Sequence, residues 1–393
     1  MANSAPHILH VFSTFAPGGP QVRLTRILNV QGASWRTSIM AMDGNTTAME
    51  RISGVPVTLV DAPEKSNGLG PSLHIAKTIR ELRPDLIITY NWGAIDAVLG
   101  AKMASVCPLI HAEDGFGPDE SVTLKSRRVL ARRLLLRGAY KTVVPSLRLQ
   151  KIALEQYRLS PEKVEYIPNG VDTSHFAPGG REYRQRRGLD EDCVLFGFVG
   201  QLRGEKNLTL LLRAFAAVAE PHWRLAIVGD GPCRAELEQL TRELGMEQQV
   251  LFEGAAEDTA PFLRAFDVFV MSSATEQMPI ALLEAMAEAL PCVVTDVGDS
   301  RQMLSGGMDE VVRAGDVNAY SRALQEMARD AKLRRSIGDK NRARCIAEYS
   351  EPVMIERYVK LYDAAIRSTG RAFRPHVTPA VGGTATDRTP VGG

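Results

Sequence analysis

Short apolar runs alternate with amphipathic stretches along this chain from residue 7 to residue 366. In the first half, β-rich runs fall at residues 7–15, 37–42, 57–60, 86–90, 109–112, 142–145 and 164–167. Helical patterns such as residues 21–28, 73–82 and 121–136 lie between most of them. Apolar strands spaced by helices predict a parallel sheet covered on both faces. The second half repeats the style, with strand runs at residues 194–199, 224–228, 250–252, 268–271, 292–295 and 310–313. Pro168 and the Asn169-Gly170 pair punctuate the join. Residues 320–329 and 333–349 read as the closing helices of the second half, and residues 351–366 as one further helix.

A chain of 393 residues is long for a single core and suits two domains, residues 1–170 and 171–350. The last stretch, residues 371–393, is rich in Pro, Gly and Thr, lacks apolar periodicity and is predicted to be disordered, with a docking segment as the alternative. Net charge is +1, so nothing global points to nucleic acid. The five cysteines are dispersed, without a CxxC pair, as expected of reduced thiols in the cytosol. The N-terminus has neither the basic flank nor the long apolar core of a signal peptide, and no run reaches the ~18 apolar residues of a membrane span. The expected location is cytoplasmic.

The densest chemistry lies at residues 272–287, between two strand candidates. A polar loop carrying Glu276 runs into a helix carrying Glu284, with seven residues between the two acids. Glu276 is predicted to precede the helix and Glu284 to lie about two turns inside it, so that both line one cleft above the sheet. A helix start offers unpaired N–H groups and a positive dipole end, which suits a phosphate. Carboxylates beside it can accept hydrogen bonds from sugar or ribose hydroxyls.

This pattern resembles the Glu-x7-Glu signature of retaining glycosyltransferases of the GT-B fold, family 4 in particular. The likeness covers nearly the whole chain, from about residue 7 to residue 366. It implies an α/β protein of two Rossmann-like, doubly wound domains facing across a cleft. The acceptor would bind to the first domain and a nucleotide-sugar donor to the second, with residues 351–368 crossing back onto the first.

Gly200-Gln201-Leu202-Arg203-Gly204-Glu205-Lys206 is similar to the family segment Gly-Arg-Leu, three further residues and then Lys, whose Arg and Lys bind the leaving diphosphate. Lys206 matches. Gln201 stands in place of the Arg and supplies hydrogen bonds but no charge. Either Arg203 compensates or the rate is lower. Gly229-Asp230-Gly231-Pro232 resembles the family's turn beside the nucleotide, and Phe252-Glu253-Gly254 the segment whose backbone meets the base. The Glu276 loop reads Glu276-Gln277-Met278-Pro279 where Glu-Gly-Phe-Gly is commoner. Pro279 removes one donor, while Met278, Ile280 and Ala281 still present N–H groups. This difference is expected to alter sugar selectivity.

In the first half, Ala16-Pro17-Gly18-Gly19-Pro20 resembles the glycine-rich loop that family 4 sets against the diphosphate and acceptor. It is not Gly-x-Gly-x-x-Gly, which argues against a nicotinamide dehydrogenase. The acidic turn from Glu113 to Glu120 follows a strand, and alignment on Gly115 puts Asp114 where relatives carry a histidine near the transferred sugar. Asp114 is expected to bind a sugar hydroxyl or to stabilise positive charge at the anomeric carbon. His111 reads equally as a site residue or as a satisfied core histidine. Residues 124–137 form a basic amphipathic helix that either lies on anionic lipid near a lipid-linked acceptor or is a solvated face. Asp190-Glu191-Asp192 resembles the Asp-x-Asp of metal-dependent glycosyltransferases, but as a surface turn before a strand it is set aside.

The resemblance thus implies a glycosyltransferase that needs no metal or cofactor, acting in polysaccharide or glycoconjugate assembly. Glu276, Lys206 and Asp114 would carry the chemistry, and Glu284 would bind the donor. Two rivals are a nucleotide-sugar epimerase or hydrolase of the same fold and a non-catalytic nucleotide-sugar-binding protein.

Overall fold

The computed structural model of the chain describes residues 5–369, apart from residues 65, 67, 117–119, 121–122, 181 and 305–310. The strands of the first half are β1 (His7–Phe12), β2 (Arg36–Ala41), β3 (Val57–Leu59), β4 (Leu86–Tyr90), β5 (Leu109–Ala112), β6 (Lys141–Val144) and β7 (Val164–Tyr166). They form one sheet in the order β3-β2-β1-β4-β5-β6-β7, and every adjacent pair is parallel. The second half contributes β8 (Val194–Val199), β9 (Trp223–Val228), β10 (Val250–Gly254), β11 (Val268–Met271), β12 (Cys292–Thr295) and β13 (Val311–Val312). Their order is β10-β9-β8-β11-β12-β13, again parallel throughout.

The strands are apolar because both faces are covered. All six residues of β1 and all six of β8 are buried. Each sheet separates two apolar clusters, one under the helices of each face. In each sheet the strand order reverses once, between β1 and β4 and between β8 and β11. The helices on either side of such a reversal diverge, which opens a crevice at the carboxyl ends of the strands.

Local departures from the sequence pattern have clear causes. β1 stops at Phe12, because Phe15 turns into the core and donates its N–H to Asn45 O. β10 runs on to Gly254, whose carbonyl accepts from Gly229 N–H at 2.7 Å. The basic helix spans Ser126–Leu136, and residues 121–122 of its expected start lie outside the described residues. So do residue 310 and the expected disordered tail, residues 371–393. Among the described residues, no helix is long and apolar enough to cross a membrane.

The chain crosses between the sheets twice at one place. Val171 N–H donates to Tyr349 O (2.9 Å), and Glu351 N–H returns to Val171 O (2.8 Å). Helix Glu351–Arg367 then lies on the first sheet, burying Met354, Tyr358 and Tyr362 among Phe12, Ile88 and Tyr90.

One buried acid sets a pH dependence. The Glu288 side chain, just past helix Ile280–Ala287, is fully buried 3.4 Å from Arg264 Nε. Burial pushes its carboxyl up to about 7, against the attraction of Arg264 and Arg342. The folded state therefore holds a proton that the unfolded chain releases near its ordinary value. The stabilisation is complete below that value and is lost as pH rises through about 7. Glu288→Gln is expected to unfold like the parent near pH ~5 and to gain on the order of 2 kcal/mol over it near pH ~8.5, read from urea midpoints. Parallel pH profiles for the two proteins would contradict this.

Candidate active site

The two reversals face the same gap. From the first sheet, the loop after β1 leads through Gly18, the N-cap of helix Gly19–Gln31, and is braced by the Gln21 amide donating to Thr14 O (2.8 Å). After β5, Asp114 donates its N–H to Asn91 Oδ1, beyond β4, at 2.7 Å. Its carboxylate is gripped by both terminal guanidinium nitrogens of Arg23, Nη1 at 2.5 Å and Nη2 at 3.0 Å. Arg23 is itself buried, with its guanidinium 5.2 Å from the centre of the Tyr358 ring. A cavity of ≈ 580 Å³ opens here, lined among others by Gly19, Arg23, Asn91, Trp92, Asp114 and Ile280. A smaller one, ≈ 230 Å³, is lined by Gly18, Gly19, Arg26, Ile280, Glu284 and Met354 among others. Ile280, 41% exposed and the first residue of its helix, stands between them.

Across the gap, the loop after β8 and the loop after β11 are stitched together. Ser272 Oγ donates to the carbonyls of Lys206 and Asn207, both at 3.0 Å, and Ala274 N–H donates to Glu205 O at 2.8 Å. These bonds bring Lys206 Nζ within 2.6 Å of Glu276 Oε1, which also accepts from Ser273 Oγ at 2.7 Å. Gln201 is exposed, and Arg203 is half exposed with its guanidinium 4.0 Å from Glu205. Gly229 sits at φ +142, where a Cβ would meet Gly200 O at 1.8 Å, so the β8 and β9 loops touch through backbone alone. Gly231 packs on Leu202, where a Cβ would stand 2.5 Å from its carbonyl oxygen.

The helix begins at Ile280, because Pro279 holds an extended ψ of 119° as its N-cap. Glu284 is therefore little more than one turn inside, short of the two turns expected. It lines the smaller cavity with Gly18 and Gly19 and accepts from Thr259 Oγ1 at 3.4 Å. Burial raises its carboxyl above the usual range, against the attraction of Thr259 and Arg26. The helix start carries no side-chain cap hydrogen bond, leaving its first N–H groups for an anion.

Other expected residues are placed elsewhere. His111 is fully buried on β5, with Nδ1 2.8 Å from Thr89 Oγ1 and Nε2 3.7 Å from Glu113, so its ring belongs to the sheet and not to the cavity wall. The Glu253 side chain accepts from Tyr183 Oη (2.7 Å) and from Arg187, which leaves only its backbone near Gly254 for a ligand. Gln277 and Met278 turn toward the first domain. Ser146 Oγ lies 3.4 Å from Gln277 Oε1, and Asn169 N–H donates to the buried Met278 Sδ at 3.2 Å. The Asp190–Asp192 turn lies before β8, at the opposite end of the sheet from the cleft.

The basic helix divides into two faces. Arg132 is 1% exposed, pairs with Glu113 (2.8 Å) and Glu120 (3.4 Å), and stacks 4.9 Å from the Trp92 ring centre. Arg128 also pairs with Glu120 (2.8 Å) and lies over Trp92. Arg127, Leu130 and Leu134 turn outward with Ser126, and so does Arg137 at the helix's C-cap. Sequence reasoning missed Arg23, Arg26, Asn91, Trp92 and Asn169. For Arg23 the signal was available, since a charge interrupts the buried stripe of Leu24, Ile27 and Leu28.

Two family models match the chain in tandem. Residues 6–175 match Glycosyltransferase Family 4, and residues 194–330 match Glycosyl transferases group 1. The chain belongs to the family 4 type of GT-B glycosyltransferases. It is 28% identical over 280 residues to the UDP-Gal:alpha-D-GlcNAc-diphosphoundecaprenol alpha-1,3-galactosyltransferase of Escherichia coli, covering 66% of this chain and 70% of that one. It is 28% identical over 322 residues to the D-inositol 3-phosphate glycosyltransferase of Thermomonospora curvata, covering 75% and 74%. Among solved structures, HepE of Anabaena in complex with UDP superposes with a TM-score of 0.79 at 19% identity, covering 91% of this chain and 100% of that one. WaaG, a glycosyltransferase involved in lipopolysaccharide biosynthesis, gives 0.64 at 19%, covering 91% and 99%.

The charge triad in this glycosyltransferase can be weighed directly. Arg132→Met strands Glu113 in the interior, while Glu120 keeps Arg128, and is expected to cost about 3–5 kcal/mol in urea unfolding. The outward Arg127→Met should stay within about 0.5 kcal/mol of the parent.

Proposed function

We propose that the chain is a retaining glycosyltransferase that moves a sugar from a nucleotide-sugar donor to a saccharide or lipid-linked acceptor in glycoconjugate assembly. The observation that carries this reading is the Lys206–Glu276 pair, 2.6 Å apart, just ahead of an uncapped helix start. Lys206 and the helix amides suit a departing diphosphate, Glu276 the transferred sugar, and Glu284 the ribose. The acceptor hydroxyl attacks the anomeric carbon from the side the diphosphate leaves. The carbon–phosphate oxygen bond breaks, the new glycosidic bond forms, and the acceptor proton passes to the departing phosphate oxygen. Positioning and fixed charge carry the rate, with no enzymic nucleophile and no metal ion in the scheme. Asp114, oriented by Arg23 and Asn91, stands on the acceptor side to bind a sugar hydroxyl. The UDP donor named for the E. coli relative and the UDP-glucose complex of HepE make uridine donors the first to test.

A thermal-shift panel of nucleotide sugars, followed by a transfer assay with the best binder, tests the reading. Lys206→Ala and Glu276→Ala should each lower transfer at least about 10³-fold with unfolding midpoints near the parent's. Near-normal turnover in either variant rejects the assignment. Because the Glu284 carboxyl is raised by burial, donor affinity should fall on acidification at a higher pH than an ordinary glutamate sets. Removal of residues 371–393 should leave turnover unchanged.

The same reading sets the enzyme in the cytoplasm, against the inner face of a membrane. Leu130 and Leu134, 53% and 56% exposed, lie between Arg127 and Arg137 on the outward face of helix Ser126–Leu136. This favours shallow contact with anionic lipid. Arg127→Glu with Arg137→Glu should weaken sedimentation with phosphatidylglycerol vesicles at least about tenfold, at about 1 kcal/mol per basic side chain lost. Equal binding by the parent and the double variant would remove the membrane from the scheme.

A further inference from the structure

The loop that carries Glu276 is held from the other domain. Arg148, on the first turn of helix Leu147–Glu155, donates from Nη1 to Thr275 Oγ1 (2.9 Å) and to the Glu276 carbonyl (3.3 Å). Ser146, the N-cap of that helix, reaches Gln277, and Asn169 N–H reaches Met278. Each of the four residues 275–278 thus has a partner in the acceptor half.

The grip is reciprocal. Asp299 of the donor domain, 1% exposed, accepts from Leu147 N–H at 2.7 Å and lies 3.4 Å from Arg148 N, so it caps a helix of the opposite domain. Its own N–H donates to Gln277 O at 2.9 Å. Gly298, at φ +57, makes this approach possible, since a Cβ there would stand 2.4 Å from Gln277 O and 2.7 Å from Glu276 O. The carbonyls of Glu276 and Gln277 therefore find donors in Arg148 and Asp299, and one of those donors arrives from across the gap.

We propose that the acceptor domain sets the Glu276 loop through Arg148 and Asp299, so that the donor site is completed only in this relative orientation of the two domains. Neither residue touches the reacting sugar, and both act as positioning residues. The inference rests on the role given above to Glu276, but its first test does not. If the domains part, Arg148 leaves the loop and Asp299 loses the helix it caps, and the loop amides then open more often.

Hydrogen–deuterium exchange on the full chain reads this without substrate. Arg148→Ala should raise exchange across residues 274–279 at least about fivefold, while amides of β1 and β8 exchange at parent rates. Arg148→Lys, which keeps one donor, should fall between. Asp299→Ala should raise exchange both in that loop and in the first turn of helix Leu147–Glu155, and Asp299→Asn, which still accepts, should do so less. Should Asp299→Ala fail to fold, the exposed Arg148 carries the test alone. Parent-like exchange at residues 274–279 in Arg148→Ala overturns the proposal. So does a rise spread evenly over the whole chain, which marks general destabilisation. In the transfer assay, Arg148→Ala should lower kcat about tenfold with donor KM held, as expected when an interaction supports the transition state alone. An unchanged kcat also overturns it, whereas loss of the role for Glu276 itself would show in Lys206→Ala and Glu276→Ala.

Discussion

Both sheets turn their carboxyl ends to one gap because the two passages of chain between them pair with each other. The Val171–Ser350 bridge ties the outgoing and returning segments. Gly170 sits so tightly against the returning helix that a Cβ would fall 2.9 Å from Met354 Cβ and 3.0 Å from Glu351 Cα. With the crossing held at one point, the reversal between β1 and β4 is aimed at the reversal between β8 and β11. Ile280 then meets the cavity wall built by Gly19, Arg23 and Asn169. A bulkier crossing would push the helix off the first sheet and tilt one crevice away from the other.

Within that gap, three groups of buried charges are matched. Arg23 answers Asp114, Arg132 answers Glu113 and Glu120, and Lys206 answers Glu276. A charge withdrawn from water is tolerated only with a partner and good geometry. Two of the sets tie a loop to a helix, the one that carries Arg23 or the one that carries Arg132, and the third ties two loops together. The Lys206–Glu276 pair shows this rule between two loops, because hydroxyl-to-carbonyl bonds from Ser272 hold them in place.

The architecture was legible because a doubly covered parallel sheet writes continuous apolar runs into the chain. β4, β5, β8, β11 and β12 lie where those runs predict them. That Lys206 and Glu276 lie near each other was legible for a second reason, since each sits in a short segment whose loop-to-helix setting is local. The cavity wall of the first sheet was harder to read. Trp92 and Arg132 meet only after β4, β5 and the basic helix have packed, and no local pattern announces a stacked guanidinium. His111 showed the opposite limit, because a histidine on a buried strand looks the same whether its ring faces a ligand or a threonine. The helix start was misjudged by a turn because apolar periodicity runs back through Met278, while Pro279 keeps the backbone extended.

The division of the basic helix bears on how its sequence can change. Arg128 and Arg132 are committed to the acidic turn, so a helical wheel that counts every arginine overstates the pull of a bilayer. The inner arginines, Trp92 and the two glutamates form one exchangeable module. Grafting this helix from a relative without its turn would import unmatched charge into the interior, whereas the outer arginines and leucines can drift freely with the surface they meet.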